Sequence, residues 1–479
     1  MCQRTNKYLR RFRRQCDSAF CLSRCGLPRC RRRQENRRTS YLPALLLLAL
    51  AVQPMLAQEK PHAPVKQISR AYIGGLFDSQ QTPAAPARQT ITMSDAVSIF
   101  LQQNLQLVAA RYDIDTAEAE KLTARLRPNP ELSVSTADIP LALTGPFIKE
   151  QTYSYGVSQT FEMGGKRRKR MDVAAANAEL ARGLFQIAVW QLTNDLKRKF
   201  YAVLLAEALL KLAEENQKTF AETLQHTNEL FQAGEIAGLD VKRLEVEKLK
   251  FDADVVNAER DYEVALRDLR VTLGGDYRTM DMAVAGTLDY QPYVFSLDAL
   301  RDEALAARPD LKAAHLSERA ADASIRLQKA QRIPDLTLGA GVEQVPLGTS
   351  TFNVGMGVTL PLFDRNQGER AKAQIDKQRA QTQQQFIANQ LLSDVDKAFV
   401  AFEAQKRRVE LYRTGVLAKA DEIQNLTEFA LKAGESSTLE LLDAIRTRRD
   451  TLASYYQTLF DYHMSLLDLE LATATPLEK

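Results

Sequence analysis

Any chemistry in this chain has to come from carboxylates. Glu440 and Asp443 are spaced i, i+3 and share one face at the start of a helix. Asp240 holds the place of Glu440 in an earlier, similar stretch, but Arg243 stands where Asp443 would be. Carboxylates so placed attract cations, and they also complement the positive end of a helix dipole. No other constellation competes with them. The four His (His62, His226, His315, His463) are isolated, and all five Cys (Cys2, Cys16, Cys21, Cys25, Cys30) precede residue 31. Past residue 30 there is no thiolate for a metal, a disulfide or a nucleophilic attack. HExxH, GxSxG and Walker sequences are absent. Gly339-x-Gly341 and Gly355-x-Gly357 lack the third Gly of a dinucleotide loop. The sequence therefore predicts no enzyme, no cofactor and no resident metal site. Lys166-Arg167-Arg168-Lys169-Arg170 is basic but carries no interleaved aromatics. It reads as a solvated or headgroup-facing run rather than a nucleic-acid contact.

The elements that would position these groups are not those of a compact enzyme. The net charge of +4 averages two unlike parts. Residues 1–40 carry 13 Lys/Arg against Asp17 and Glu35, a net of +11, and residues 41–57 carry no charge, which leaves 58–479 at −7. An acidic body argues against a nucleic-acid partner. Arg37 and Arg38 precede the apolar run Ala44–Val52, and Met55-Leu56-Ala57 offers a cut before Gln58. That is the grammar of a secretory signal. No segment reaches the roughly 20 apolar residues of a membrane-spanning helix. Residues 1–57 thus read as a basic extension and signal peptide. Residues 58–90 read as a linker with Pro61, Pro64, Pro83 and Pro86, and the folded body begins near Thr92.

That body is written twice. Pro130 and Pro334 are 204 residues apart, in Leu126-Arg-Pro-Asn-Pro-Glu-Leu132 and Gln331-Arg-Ile-Pro-Asp-Leu336. Gly156-Val-Ser158 parallels Gly357-Val-Thr359. Phe231-Gln-Ala-Gly234-Glu235 parallels Leu431-Lys-Ala-Gly434-Glu435. An ordered repeat of this length predicts two copies, at 91–290 and 291–475. Each reads as helix, β-hairpin, very long helix, tight turn, helix.

The hairpin segments alternate with period two. Leu132 and Val134, then Tyr153, Tyr155, Val157 and Phe161, alternate with Ser, Gly and Thr. Leu336, Leu338 and Val342, then Phe352, Val354, Met356 and Val358, do the same. Runs of this length and pattern suit tilted membrane strands. Four strands cannot close a barrel, and open edges are not tolerated in lipid, so copies must pool their strands. Two copies would give eight and three would give twelve. Leu196, Val203, Leu210, Gln217, Leu224 and Phe231 recur every seven residues, and Val395, Phe402, Val409, Val416, Ile423 and Ala430 repeat the series. A strict heptad predicts coiled-coil packing. From Arg167 to Gln232 there is no Pro and only Gly183, which predicts a helix about 100 Å long. Gly234 and Gly434 end the long helices, where Gly caps well. Gly164, Gly165 and Gly368 mark the strand-to-helix bends.

Assembled, these residues resemble the TolC family of outer-membrane efflux ducts over about 91–472. Arg127-Pro-Asn-Pro-Glu-Leu132, Ser158-Gln-Thr-Phe-Glu-Met-Gly-Gly-Lys-Arg167, Leu360-Pro-Leu-Phe-Asp-Arg-Asn-Gln-Gly368 and Ala433-Gly-Glu-Ser-Ser-Thr-Leu-Glu-Leu-Leu-Asp-Ala444 look most like the cobalt–zinc–cadmium branch. The resemblance implies a mainly α protein with a transmembrane β-barrel, four strands per protomer. It implies a homotrimer with a 12-stranded barrel in outer-membrane lipid and a periplasmic α-helical barrel. It implies a passive exit duct serving a periplasmic adaptor and a proton-driven inner-membrane RND-type pump. Drug export and type I secretion are the alternative cargoes, and a periplasmic coiled-coil adaptor is the alternative role. In the family's motif the acidic positions matching Glu440 and Asp443 face the pore entrance, where three copies would form a carboxylate ring. Asp240 is the weaker counterpart. No Cys follows the expected signal cut, a departure from lipid-anchored members.

Overall fold

A computed structural model describes residues 89–137, 151–234, 236–275, 282–345, 348–433 and 435–477. The expected signal peptide and almost all of the expected linker lie outside the described residues. The first element, β1 (Gln89–Ile91), pairs in parallel with β4 (Met282–Val284). Helix α1 (Met93–Gln103) starts on a reciprocal cap: the Asp95 amide donates to Thr92 Oγ1, and the Thr92 amide donates to Asp95 Oδ2. Helix α2 (Leu105–Arg125) follows at once. Asn104 separates the two, accepting from the Leu107 amide at 2.9 Å and donating to the Thr272 carbonyl at 2.6 Å.

Next come β2 (Glu131–Ala137), β3 (Thr152–Phe161), the 67-residue helix α3 (Lys166–Gln232) and α4 (Gly238–Leu273). At 1.5 Å per residue, α3 is about 100 Å long. The series then repeats. Helices α5 (Leu297–Ala307) and α6 (Pro309–Gln331) lead to β5 (Leu336–Val345) and β6 (Thr349–Val358). After β6 come α7 (Gln367–Leu411), α8 (Leu417–Lys432) and α9 (Thr438–Thr473).

Strands β2, β3, β5 and β6 form one antiparallel sheet in that order. The seam between the two halves is β3 on β5, with Tyr155 opposite Val342 and Phe161 opposite Leu336. The register puts Leu132 beside Val157 and Ala340 beside Val354, so one apolar face runs unbroken across all four strands. The opposite face carries Ser133, Ser154, Gly156, Ser158, Gly339, Gly341 and Gly355. Among the described residues, strands β2 and β6 have no outer neighbour, which leaves two unpaired edges.

The main core gathers α1, α3, α4, α5, α7 and α9 around Phe100, Phe200, Leu266, Phe402, Tyr462 and Leu466. A smaller core of Phe220, Leu244, Phe251, Leu441, Leu442 and Ile445 packs α3 and α4 against the start of α9.

Two expectations change. The second long helix runs from Gln367 to Lys432 but is not α-helical throughout: a π-helical turn, Tyr412–Val416, lies between α7 and α8. Gly415 lies in that turn, where weak helix propensity lowers the cost of an irregular ladder. The heptad also holds only along part of its length. Leu196, Val203, Val395, Phe402 and Val409 are fully buried, but Phe231, Val416 and Ile423 stay 45%, 42% and 49% exposed. Beyond residue 210, α3 buries Leu212, Asn216, Phe220 and Thr227 instead. A heptad stripe needs a helix facing it, and among the described residues its outer end is only partly covered, with Leu224 packed on the smaller core.

Candidate pore-tip site and the strand-to-helix bends

Gly234 ends α3 with φ +80°, a left-handed conformation that costs L side chains energy. Its amide donates to the Phe231 carbonyl at 3.0 Å. A Cβ there would meet nothing within 4 Å, so only the backbone requires Gly. Gly434, its expected counterpart, lies outside the described residues.

After the second turn Ser437 caps α9. Its hydroxyl accepts from the Glu440 amide at 3.2 Å, and Glu440 Oε2 accepts from the Ser437 amide at 2.9 Å and the Ser436 hydroxyl at 2.6 Å. The Ser436 hydroxyl first, then the Ser437 amide, hold the Glu440 carboxyl below its ordinary value. The carboxylate stays ionised and exposed while it closes the cap. Asp443 is exposed one turn on, flanked by the buried Leu441, Leu442, Ala444 and Ile445. The i, i+3 pair therefore shares the outward face. Asp240, in the first turn of α4, is paired to Arg243 at 3.1 Å. Asp240 is thus compensated by a direct ion pair, whereas Glu440 and Asp443 have none among the described residues, although Asp443 lies near enough to Arg446 to act on it.

The first bend is built on two left-handed residues, Gly164 (φ +69°) and Gly165 (φ +68°). A Cβ on Gly164 would lie 2.7 Å from Ile333 Cδ1, so Gly164 is required by contact as well as conformation. The bend is bound on both sides. On one side Arg167 donates to the Arg125 carbonyl and Arg170 to the Leu126 carbonyl. On the other, the Met163 amide and Lys166 Nζ donate to Asp335 at 3.0 and 2.8 Å. Arg170 also pairs with Glu162. The basic run is consequently partly committed to holding the bend, which its composition alone does not reveal.

At the second bend Gly368 is not the hinge. It is the second residue of α7, with no left-handed angle. The left-handed residue is Asn366 (φ +58°), a type that tolerates this region, and its side-chain amide donates to Gln328 at 2.9 Å. The readable signal is an Asn directly before the start of α7.

One pair escaped sequence reasoning. Glu247 on α4 is 4% exposed and accepts from Arg446 Nε at 2.8 Å, Arg446 Nη2 at 2.5 Å and Lys250 at 2.9 Å. The Arg446 hydrogen bond, ahead of that from Lys250, holds its carboxyl below the ordinary value despite burial. This bridge ties α4 to α9 beside the smaller core. Sequence gave no cue, because the partners are 199 residues apart.

His463 stacks on Tyr201 at 4.6 Å, its Nε2 lies 3.2 Å from the Asp289 carbonyl, and burial pushes its pKa down to about 4. Arg308 lies 5.2 Å over the Trp190 ring. Both are packing features. Among the described residues no three His, Cys, Asp or Glu side chains are grouped to hold a metal ion, and no helix is long and apolar enough to cross a membrane.

The family model described as outer membrane efflux protein matches residues 96–275 and 300–475. The cobalt-zinc-cadmium resistance protein CzcC of Cupriavidus metallidurans is 26% identical over 362 residues, covering 74% of this chain and 84% of that protein. The cation efflux system protein CusC of Escherichia coli is 22% identical over 455 residues, covering 91% and 97%. The fold is similar to the solved Campylobacter jejuni CmeC outer membrane channel, with TM-score 0.67 at 16% identity over 80% of this chain and 85% of that one. A solved CusC gives TM-score 0.66 at 18% identity over 83% and 99%. The two-edged membrane sheet, the duplicated long helices and the family match over both halves agree: the chain belongs to the outer membrane efflux protein family and is an efflux channel of the outer membrane.

Proposed function

We propose that the chain is the exit duct of a tripartite system that expels heavy-metal cations, working as a homotrimer with a periplasmic adaptor and a proton-driven inner-membrane pump. The observation that carries the duct is the sheet: four strands with one continuous apolar face and two unpaired edges call for further copies before they can line a pore. Three copies supply twelve strands. The cation cargo rests on the relatives, since proteins named for resistance to cobalt, zinc, cadmium and nickel match over more than half of this chain. The chain catalyses nothing in this reading, and the energy for transport comes from the pump.

In the same reading Glu440 and Asp443 of each copy line the periplasmic mouth and favour cations, with Asp240 a minor contributor. Gly234 and Gly434 form the tip turns. Residues 91–290 and 291–475 are the two repeats of the duct, preceded by a leader at 1–57 and a linker at 58–90. Deleting the gene tests the cargo. Growth should become sensitive to zinc, cobalt or cadmium and not to dyes, detergents or antibiotics. Sensitivity to organic compounds alone would keep the duct and reassign its cargo.

A further inference from the structure

The duplication lets one half of the molecule serve as a template for what the other half must meet. Both bends place a left-handed residue at the N-cap of the long helix, Gly165 (φ 68°, ψ 26°) and Asn366 (φ 58°, ψ 30°), an offset of 201 that also relates Gly156 to Gly357. The segments leading into β2 and β5 are related by 204, from Pro130 to Pro334. Within the chain, the first bend is clamped to the lead-in of β5, where Asp335 takes the Met163 amide and Lys166 Nζ. Strand β3 pairs with β5 beside that clamp.

Among the described residues the second bend has no counterpart of this clamp, because β6 ends the sheet. By the offset of 204, the residue at the place of Asp335 is Glu131, at the open edge strand β2. Glu131 is exposed and has no hydrogen-bond or ion-pair partner among the described residues. By the offset of 201, the place of Lys166 is taken by Gln367, whose side chain is already used by the Arg365 amide and the Phe363 carbonyl. Two cations flank it. The Arg365 and Arg370 guanidiniums have no ion-pair partner among the described residues, and Arg370 Nε is buried without a hydrogen bond. Apolar groups beside them are exposed too: Leu360, Leu362 and Phe363 after β6, and Leu132 and Val134 on β2. Carrying the β3–β5 register across sets Leu362 against Leu132 and Leu360 against Val134, which keeps the apolar face continuous.

We propose that the second bend of one copy clamps the β2 lead-in of the next, with Arg365 and Arg370 pairing with Glu131 of a second copy of this chain. This surface rests on the homotrimer reading above and names the residues at which its copies lock. The charges are complementary, the edges are unpaired, and the contact repeats one the chain already makes with itself. Position 131 holds the acid in the template's place, and the second bend substitutes two arginines for one lysine.

The full chain in native membranes tests it. Cysteines replacing Glu131 and Arg365 together, in a body that has no Cys after residue 30, should give oxidant-dependent crosslinks up to trimer mass. Cysteines replacing Lys166 and Asp335 should form a bond within one chain and leave the mass unchanged. Glu131→Arg should lower the yield of assembled oligomer by about tenfold, since like charges would then face each other. Adding Arg365→Glu and Arg370→Glu should restore it. A trimer that assembles and conducts but never crosslinks between 131 and 365, and tolerates Glu131→Arg, overturns the clamp and leaves the duct intact. A parent chain that forms no oligomer and no pore overturns the clamp together with the reading beneath it.

Discussion

The two halves of the chain share one plan and satisfy it differently. In the first half several charged groups at the bend and the helix start are answered from within the chain. Lys166 has Asp335, Arg170 has Glu162, Asp240 has Arg243, and α3 runs unbroken for 67 residues. In the second half the equivalent positions have no ion-pair partner among the described residues. Glu440 and Asp443 face outward, Arg365 and Arg370 stand unpaired among the described residues, and a π-helical turn interrupts the α-helical run before the tip. Duplication gives two similar surfaces, and a closed assembly needs one to look inward to its own chain and the other outward to a neighbour or the pore. In the proposed assembly that difference marks the outward surface.

The largest expected effect sharpens the contrast between heptad positions. Phe402 is fully buried against Phe295 and Tyr462, so Phe402→Ala should cost about 3–5 kcal/mol, read as a lowered denaturation midpoint by circular dichroism in detergent. Phe231→Ala, at a half-exposed position of the matching heptad, should cost under about 1 kcal/mol in the isolated protomer. Equal losses would mean the outer heptad is buried within the chain after all.

The Glu247–Arg446 bridge comes next. Glu247→Gln should cost about 2 kcal/mol, less than a wholly enclosed pair, because Arg446 is over a third exposed. The folded pKa lies below the ordinary 4.5, so the contribution is present above that pH and fades as pH falls through the depressed value. Denaturation midpoints taken at pH 7 and pH 3 should therefore differ more in the parent than in Glu247→Gln. An identical pH response in both would remove the bridge from the tip's stability.

The smallest effects concern the bends. Gly165→Ala should cost about 1 kcal/mol through its left-handed backbone, and Gly164→Ala more, through the contact with Ile333 as well. Gly368→Ala should be neutral or stabilise by up to about 1 kcal/mol, because that residue is already helical and faces open space. Thermal midpoints of the three variants rank them, and a loss at Gly368 matching Gly165 would restore it as a hinge.

Much of this was legible in the sequence because it is periodic. Period-two alternation placed all four membrane strands, and the absence of Pro between Arg167 and Gln232 placed the long helix. What stayed hidden depends on partners distant in sequence or on local backbone choice. The Glu247–Arg446 bridge joins residues no pattern connects. Asn366 took over the left-handed position that Gly368 suggested, since Asn and Gly compete for it. The π-helical turn left only Gly415 as a sign. At the tip, the spacing of Glu440 and Asp443 gave their common face, but the use of Glu440 as a helix cap depends on the turn before it.

The most direct measurement is the reversal potential of the reconstituted channel under a salt gradient in planar bilayers. If the second half carries the outward-facing charge, Glu440→Gln with Asp443→Asn should sharply reduce cation preference, and Asp240→Asn should leave it near the parent value. Unchanged selectivity in the double variant, or an equal loss in Asp240→Asn, would contradict the division of roles between the halves.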